Sequence, residues 1–216
     1  MNAKAERKER SHETILQSAS RLLRERGIAG ARVADVMMGA GLTVGGFYAH
    51  FGSKEELIDE TLRRTGAALR QHLFGRVDEK PAADRVVVIL KRYLSARNRD
   101  EFLRGCPLPA VMSEVGTTAP QHRDALRVEI EAMASGIEEH LPPHALPRRY
   151  LALGLVALMT GGLSLARAFR GTEMSDEVLK ACRALGAFAA RGGADDAAIA
   201  RAPSASRASH EGGELE

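Results

Sequence analysis

Thr43, Tyr48, His50 and Lys54 place a hydroxyl, a phenol, an imidazole and an ammonium within twelve residues of one another. Each is a hydrogen-bond donor, and Thr43 at a helix start can reach a base or a phosphate. Between them, Gly45 and Gly46 carry no side chain that would hold the backbone away from a partner. Val44 supplies methyl groups of the kind that touch a thymine methyl. Donors beside a bare backbone suit binding rather than making bonds. No P-loop, G-x-G-x-x-G, H-E-x-x-H or G-x-S-x-G occurs in the 216 residues, so no enzymatic activity is expected. Glu139-His140 and His144 suggest a metal pair, but Pro142-Pro143 between them breaks helical register. Neither a metal nor a cofactor is expected.

Short elements must position these groups. Val33, Val36, Met37 and Ala40 recur at i, i+3, i+4 and i+7, one helical face, and Gly41 follows them. Val44, Phe47, Tyr48 and Phe51 repeat that spacing, which predicts a second helix over about 43–51 with Thr43 as its cap. Tyr48 shares its stripe with Phe47 and Phe51, so spacing alone allows burial as readily as exposure. Ser53-Lys54-Glu55-Glu56 is a Ser-x-x-Glu capping box that opens a longer helix through Leu57, Ile58, Leu62, Leu69 and Leu73, ending near Gly75. Ahead of them, Ile15, Leu16, Ala19, Leu22 and Leu23 form one stripe, with Gly27 as the natural end. Two short helices about a glycine turn, between longer ones, describe a helix-turn-helix.

Gly41, Thr43, Tyr48, His50-Phe51 and Ser53-Lys54-Glu55 resemble the DNA-binding signature of TetR-family transcriptional regulators. The resemblance is specific over roughly the first quarter of the chain. Beyond that it is one of size and helical layout. It implies an all-α fold: an N-terminal three-helix DNA-binding domain joined to an all-helical effector-binding and dimerisation domain, with about nine helices. It also implies that Tyr48, His50 and Lys54 bind phosphates, and that Phe47 and Phe51 seat the reading helix. One departure is Arg32, where many members have Ser or Thr as a cap. Arg32 should cap poorly and is a candidate phosphate ligand. The expected DNA-binding set is therefore Arg32, Thr43, Val44, Gly45, Gly46, Tyr48, His50 and Lys54.

Charge agrees with that placement. The net formal charge is +3, yet up to Lys54 there are nine Lys/Arg against five Asp/Glu. The basic excess lies in the segment that resembles a DNA reader. Two cysteines are too few for a disulfide framework, and the polar N-terminus is no secretory signal, so a cytoplasmic, reduced protein is expected.

The domain reading is a flexible basic arm over 1–10, a helix-turn-helix domain over 11–52 and a helical body over 53–191. Within the body, 53–74 is the connecting helix. A disordered tail over 192–216 follows from its Gly, Ala, Ser and Asp content. Residues 82–98 contain a Val-Val-Val-Ile run that suits a buried strand, but seventeen residues without Gly or Pro favour helix. The stretch 150–166 is almost continuously apolar, short for a membrane span and diluted by Gly154, Gly161 and Gly162. No membrane role is expected. A buried helix facing a partner subunit fits better. The resemblance implies a homodimer through helices at about 145–170 and 175–191, binding a palindromic operator in double-stranded DNA, and a small-molecule effector. Tyr93, Phe102, Met112, Met133 and Met159 are the candidate effector lining, with plain core packing as the alternative. Cys106 precedes Pro107 at a helix start, where a helix dipole favours the thiolate. It is either a reactive sensor or a buried small hydrophobe.

Overall fold

The computed structural model describes residues 3–101, 105–144 and 146–191. Among them every regular element is helical: α1 Ala3–Gly30, α2 Val33–Gly39, a 3₁₀ segment Val44–Ala49, and α3 Lys54–Phe74. The body follows as α4 Ala82–Tyr93, α5 Ala96–Asp100, α6 Leu108–Thr117, α7 Arg123–His140, α8 Arg148–Ala168 and α9 Glu173–Arg191. The Val-Val-Val-Ile run is helical, inside α4, with Val86, Val87, Ile89 and Leu90 buried on one side.

Two findings correct expectations at helix starts. Residues 3–10 are no flexible arm; they are the first turns of α1, whose run of Ala, Lys, Glu and Arg suits a helix. Helix α9, expected from about 175, begins at Glu173, so Ser175 lies inside it. Ser175 is instead buried; its Oγ donates to the Ala166 carbonyl at 2.7 Å and accepts from Arg99 at 2.9 Å. The expected tail and Phe102 lie outside the described residues. Gly27 does break α1: its φ of +68° is left-handed, and a short turn follows to Gly30.

Two apolar cores result. One gathers Ile15, Leu16, Leu22, Leu23, Val36, Met37, Phe47 and Phe51 around α1, α2 and the 3₁₀ segment. The other lies among α4, α7, α8 and α9. Connecting helix α3 belongs to both: Leu57, Ile58 and Leu62 enter the first, Leu69 and Leu73 the second. Helix α6 also crosses the boundary, because Val111 and Val115 pack into the first core. The junction is therefore apolar on two helices, α3 and α6, each of which packs into both cores.

Candidate nucleic-acid interface

The site is built on α2, the turn at Gly41 and the 3₁₀ segment. Gly41 has φ +70° and lets the chain reverse after α2. Val44–Ala49 closes with 3₁₀ bonds, Gly46 N–H to the Thr43 carbonyl at 3.0 Å and His50 N–H to the Phe47 carbonyl at 2.9 Å. An α-helix over 43–51 was expected. Adjacent glycines at 45 and 46 lower helix propensity by about 1 kcal/mol each, and so short a run gains little from i→i+4 bonding. Thr43 takes the extended backbone of a cap, but its side chain caps nothing. Arg32 likewise starts α2 with no side-chain cap bond, and it is exposed.

Packing sorts the aromatic stripe into two roles. Phe47 and Phe51 are fully buried, with ring centroids 5.7 Å apart. Tyr48 is 76% exposed, its ring edge-on to Phe47 at 5.3 Å. Exposure settles for this residue what spacing left open. Val44 is half exposed beside it, and a Cβ on Gly45 would meet nothing within 4 Å. Gly46 sits over Met37, 3.8 Å from where its Cβ would be. The outcome is a bare ridge with one phenol standing out.

His50 is half-buried at the end of the segment, and its Nδ1 has no hydrogen-bond partner among the described residues. Burial first, then the neighbouring His12 and Lys8, lowers its pKa below the ordinary imidazole range. His12 closes the back of the site by stacking on Phe51 at 4.6 Å.

The capping box forms with one shift. Ser53 Oγ accepts from Glu56 N–H at 3.2 Å, but the Glu56 carboxylate reaches Gly52 N–H at 2.6 Å rather than that of Ser53. Lys54, half-buried, donates to the Ile28 carbonyl at 2.8 Å. The ammonium thus ties α3 to the end of α1, and two of its donor protons remain. From the body, Glu114 of α6 accepts from Ile28 N–H at 2.7 Å and Ala29 N–H at 2.8 Å. The same two-residue step after Gly27 is therefore gripped by Lys54 on one side and Glu114 on the other. Sequence reading missed Glu114, because 86 residues separate it from Ile28 and nothing local marks it.

The described residues of the expected effector lining pack into the core of the body. Tyr93, Met133 and Met159 are all within 3% of full burial, and Met112 packs against the same core. Cys106 is fully buried, and burial pushes its thiol up, against the thiolate that a helix start was expected to favour. Its backbone N–H donates to Asn98 at 2.9 Å, and Arg167 donates to its carbonyl at 2.8 Å. Cys106 is a structural residue in this fold, not an accessible sensor. Among the described residues no three His, Cys, Asp or Glu side chains group as a metal site.

Comparison with known proteins bears on two stretches. Residues 15–61 match the family model described as bacterial regulatory proteins, tetR family, and residues 82–182 match a tetracyclin repressor-like C-terminal domain. The HTH-type transcriptional repressor KstR2 of Mycobacterium tuberculosis is 45% identical over 49 residues, which cover 23% of this chain and 24% of that one. An uncharacterized HTH-type transcriptional regulator of the same species, Rv0196, is 27% identical over 115 residues, 52% of this chain and 57% of the other. The chain thus matches about a quarter to just over half the length of these relatives. A TetR transcriptional regulator from Chloroflexus aurantiacus superposes with a TM-score of 0.70 at 24% identity, covering 83% of this chain and 95% of the other. Reduced NemR from E. coli gives 0.68 at 21%, covering 80% and 94%. At these identities the structures speak for the fold.

Proposed function

The chain belongs to the TetR family of bacterial regulatory proteins, and from that premise we propose that it is a homodimeric DNA-binding repressor released from a palindromic operator by a small effector. The observation that carries this reading is the ridge over 43–50. It buries Phe47 and Phe51 as its seat and turns Tyr48 and a bare Gly45 outward. In this reading Val44 and the backbone at Gly45 and Gly46 lie against base edges in the major groove. Thr43, Tyr48, His50, Lys54 and Arg32 take phosphates. Few long polar side chains are left for bidentate base reading, so DNA shape carries part of the specificity. The setting is the cytoplasm, where operator DNA is.

The dimer is supported by α8 and α9. Tyr150 and Leu165 of α8, Phe169 just beyond it, and Leu185 and Phe188 of α9 are all exposed. At Gly154 and Gly161 of α8, an added Cβ would meet nothing within 4 Å. Helix α8 is long and apolar enough to cross a membrane, but half of its most apolar stretch is buried within the chain. Its remaining apolar surface suits a second copy. Pairing of α8 and α9 across a two-fold would present two ridges to half-sites about 34–36 Å apart.

Release follows from the junction. A shift of α6 pulls Val111, Val115 and Glu114, all engaged with α1 or its core. A tilt of α3 moves Lys54 with the Ile28 carbonyl. An effector need only prefer the arrangement in which the two ridges lose their spacing. Selection of bound fragments from random DNA tests the reading. Two-fold palindromic winners are expected, and absence of any enrichment refutes it.

A further inference from the structure

The first four Lys/Arg of the chain, Lys4, Arg7, Lys8 and Arg10, stand outside the ridge. They lie on the opening turns of α1, where Arg7, Lys8 and Arg10 are exposed. The core-facing line of α1 shows where these turns lead. Ile15, Ala19 and Leu22 are buried on that line. One turn earlier His12 still packs, stacked on Phe51 at 4.6 Å with its ring 5.7 Å from that of His50. A further turn earlier the line arrives at Lys8, which is exposed. After burial and His12, the charge of Lys8 lowers the pKa of His50. The opening turns therefore overhang the domain beside the end of the ridge. From His12 out to Ala3 the overhang is about 13 Å long at the helical rise, about four base-pair steps of duplex.

Charge on the overhang is sorted by side. Glu6, Glu9 and Glu13 recur at i, i+3 and i+7 and share one side, and Glu13 pairs with Arg64 of α3. Lys4, Lys8 and His12 recur at i, i+4 and i+8 on another, with Arg7 next to them. A helix face that is merely solvated pairs its charges along the helix. Arg10 has that option, with Glu6 four residues before it and Glu13 three after. Arg7 and Lys8 do not. Three and four residues away they meet Lys4, Arg10, His12, Ser11 and two alanines, and no carboxylate. Lys4 is engaged within the chain, but among the described residues Arg7 and Lys8 have no ion pair. Like charges at these spacings destabilise a helix. Beside them the Nδ1 of His50 is buried without a hydrogen-bond partner among the described residues.

We infer that Arg7 and Lys8 form a second DNA contact, on backbone phosphates just outside the half-site that the ridge meets. This rests on the DNA-binding reading above and extends its footprint along the duplex. A phosphate set between Lys8 and His50 relieves both, since it pairs the ammonium and gives the ring an acceptor. The same phosphates remove the repulsion along the basic side of α1, which nothing within the chain offsets. Because the overhang is already helical, it is placed before DNA arrives and the contact costs no ordering of a loose segment. Phosphates carry no sequence information, so the contact adds affinity and register rather than base preference.

The test uses the full chain and a duplex recovered by selection from random DNA, titrated by fluorescence anisotropy at several salt concentrations. Arg7→Gln and Lys8→Gln keep good helix formers at exposed positions, so the thermal midpoint is expected to hold. Together they are expected to weaken binding roughly tenfold at low salt and to flatten the salt slope by about two per bound chain. Arg10→Gln removes the same charge from the side of α1 away from His12 and is expected to leave the slope nearly unchanged. Trimming the duplex flush with the half-sites is expected to bring the parent down to the affinity of the double variant. An unchanged slope in the double variant, or an Arg10→Gln effect equal to that of Lys8→Gln, overturns the contact while binding of the parent leaves the regulator reading standing. A parent that binds no duplex of any sequence overturns both.

Discussion

Both the ridge over 43–50 and the α8–α9 face turn aromatic rings to solvent, in different company. On the ridge, Tyr48 is flanked by glycines, a hydroxyl and an imidazole, and the segment up to Lys54 is net basic. On α8 and α9, Leu165, Leu185 and Phe188, with Phe169 just beyond α8, stand among Ala, Gly and a few Arg, and Tyr150 adds a single phenol at the start of α8. A phenol on a bare, polar ridge is dressed for a hydrated, charged partner, since its hydroxyl keeps a hydrogen bond at the surface. An apolar patch lowers its free energy chiefly by being covered with more apolar surface. Exposure alone would have put the two faces in one class. In the proposed reading, their neighbours separate a nucleic-acid face from a protein face.

The largest expected effect comes from the apolar face. Phe188, 68% exposed on α9, contributes little within one chain. Phe188→Glu should therefore leave thermal unfolding of the isolated chain nearly unchanged. It should abolish the dimer in sedimentation, and operator affinity should fall on the order of 100-fold as the second half-site contact is lost. A variant that stays dimeric would break the assignment of this face and with it half of the comparison.

The ridge offers the next test. Gly45 is outside the left-handed region and has open space where a Cβ would stand. Gly45→Leu should thus fold as well as the parent, or better by up to about 1 kcal/mol from the lost glycine entropy. Its affinity for operator should nonetheless drop roughly tenfold or more, because the new side chain occupies the space a base edge needs. Unchanged affinity in a gel-shift titration would mean that the ridge is not what meets the duplex.

The two faces also differ in how far they could be read from residue order. The ridge is local: Gly41, Phe47, Tyr48, Phe51 and Ser53 lie within thirteen residues, and their spacing and types suffice to place it. The helical body follows from periodicity in the same way. What periodicity lacks is the distinction between an apolar residue that lines a void and one that fills it. Tyr93, Met133 and Met159 look alike in both cases, and packing decided for filling. A cleft of about 690 Å³ beside α1 and α3 was equally hidden, because Arg24, Arg64 and Arg97 of its lining come together only when α1, α3 and α5 are assembled. Cys106 shows a competition between local and tertiary terms: a helix start favours its thiolate, but complete burial costs more and wins. Lys54 was placed by its motif, whereas its bond to Ile28, 26 residues away, belongs to the tertiary fold.

The smallest effect is the most diagnostic of the ridge's electrostatics. Burial and the adjacent His12 and Lys8 depress the pKa of His50 in the folded chain, so at neutral pH the imidazole is uncharged. As pH falls through the ordinary imidazole range, near 6.5, the unfolded state binds a proton that the folded state still resists. Unfolding is then favoured, and the contribution of His50 to stability, present above that range, is lost on acidification. Bound DNA reverses the preference, because a phosphate beside the ring stabilises the imidazolium. Operator affinity should therefore rise as pH falls over the same range in which the free chain's thermal midpoint falls. Both trends should flatten in His50→Gln, which keeps a hydrogen-bonding side chain but does not titrate. Opposed slopes in the parent and flat ones in the variant would place His50 on phosphate. If affinity and stability instead fall together, the imidazole serves only the fold, and the polar company that distinguishes the ridge from α8 and α9 shrinks to Tyr48, Thr43 and Lys54.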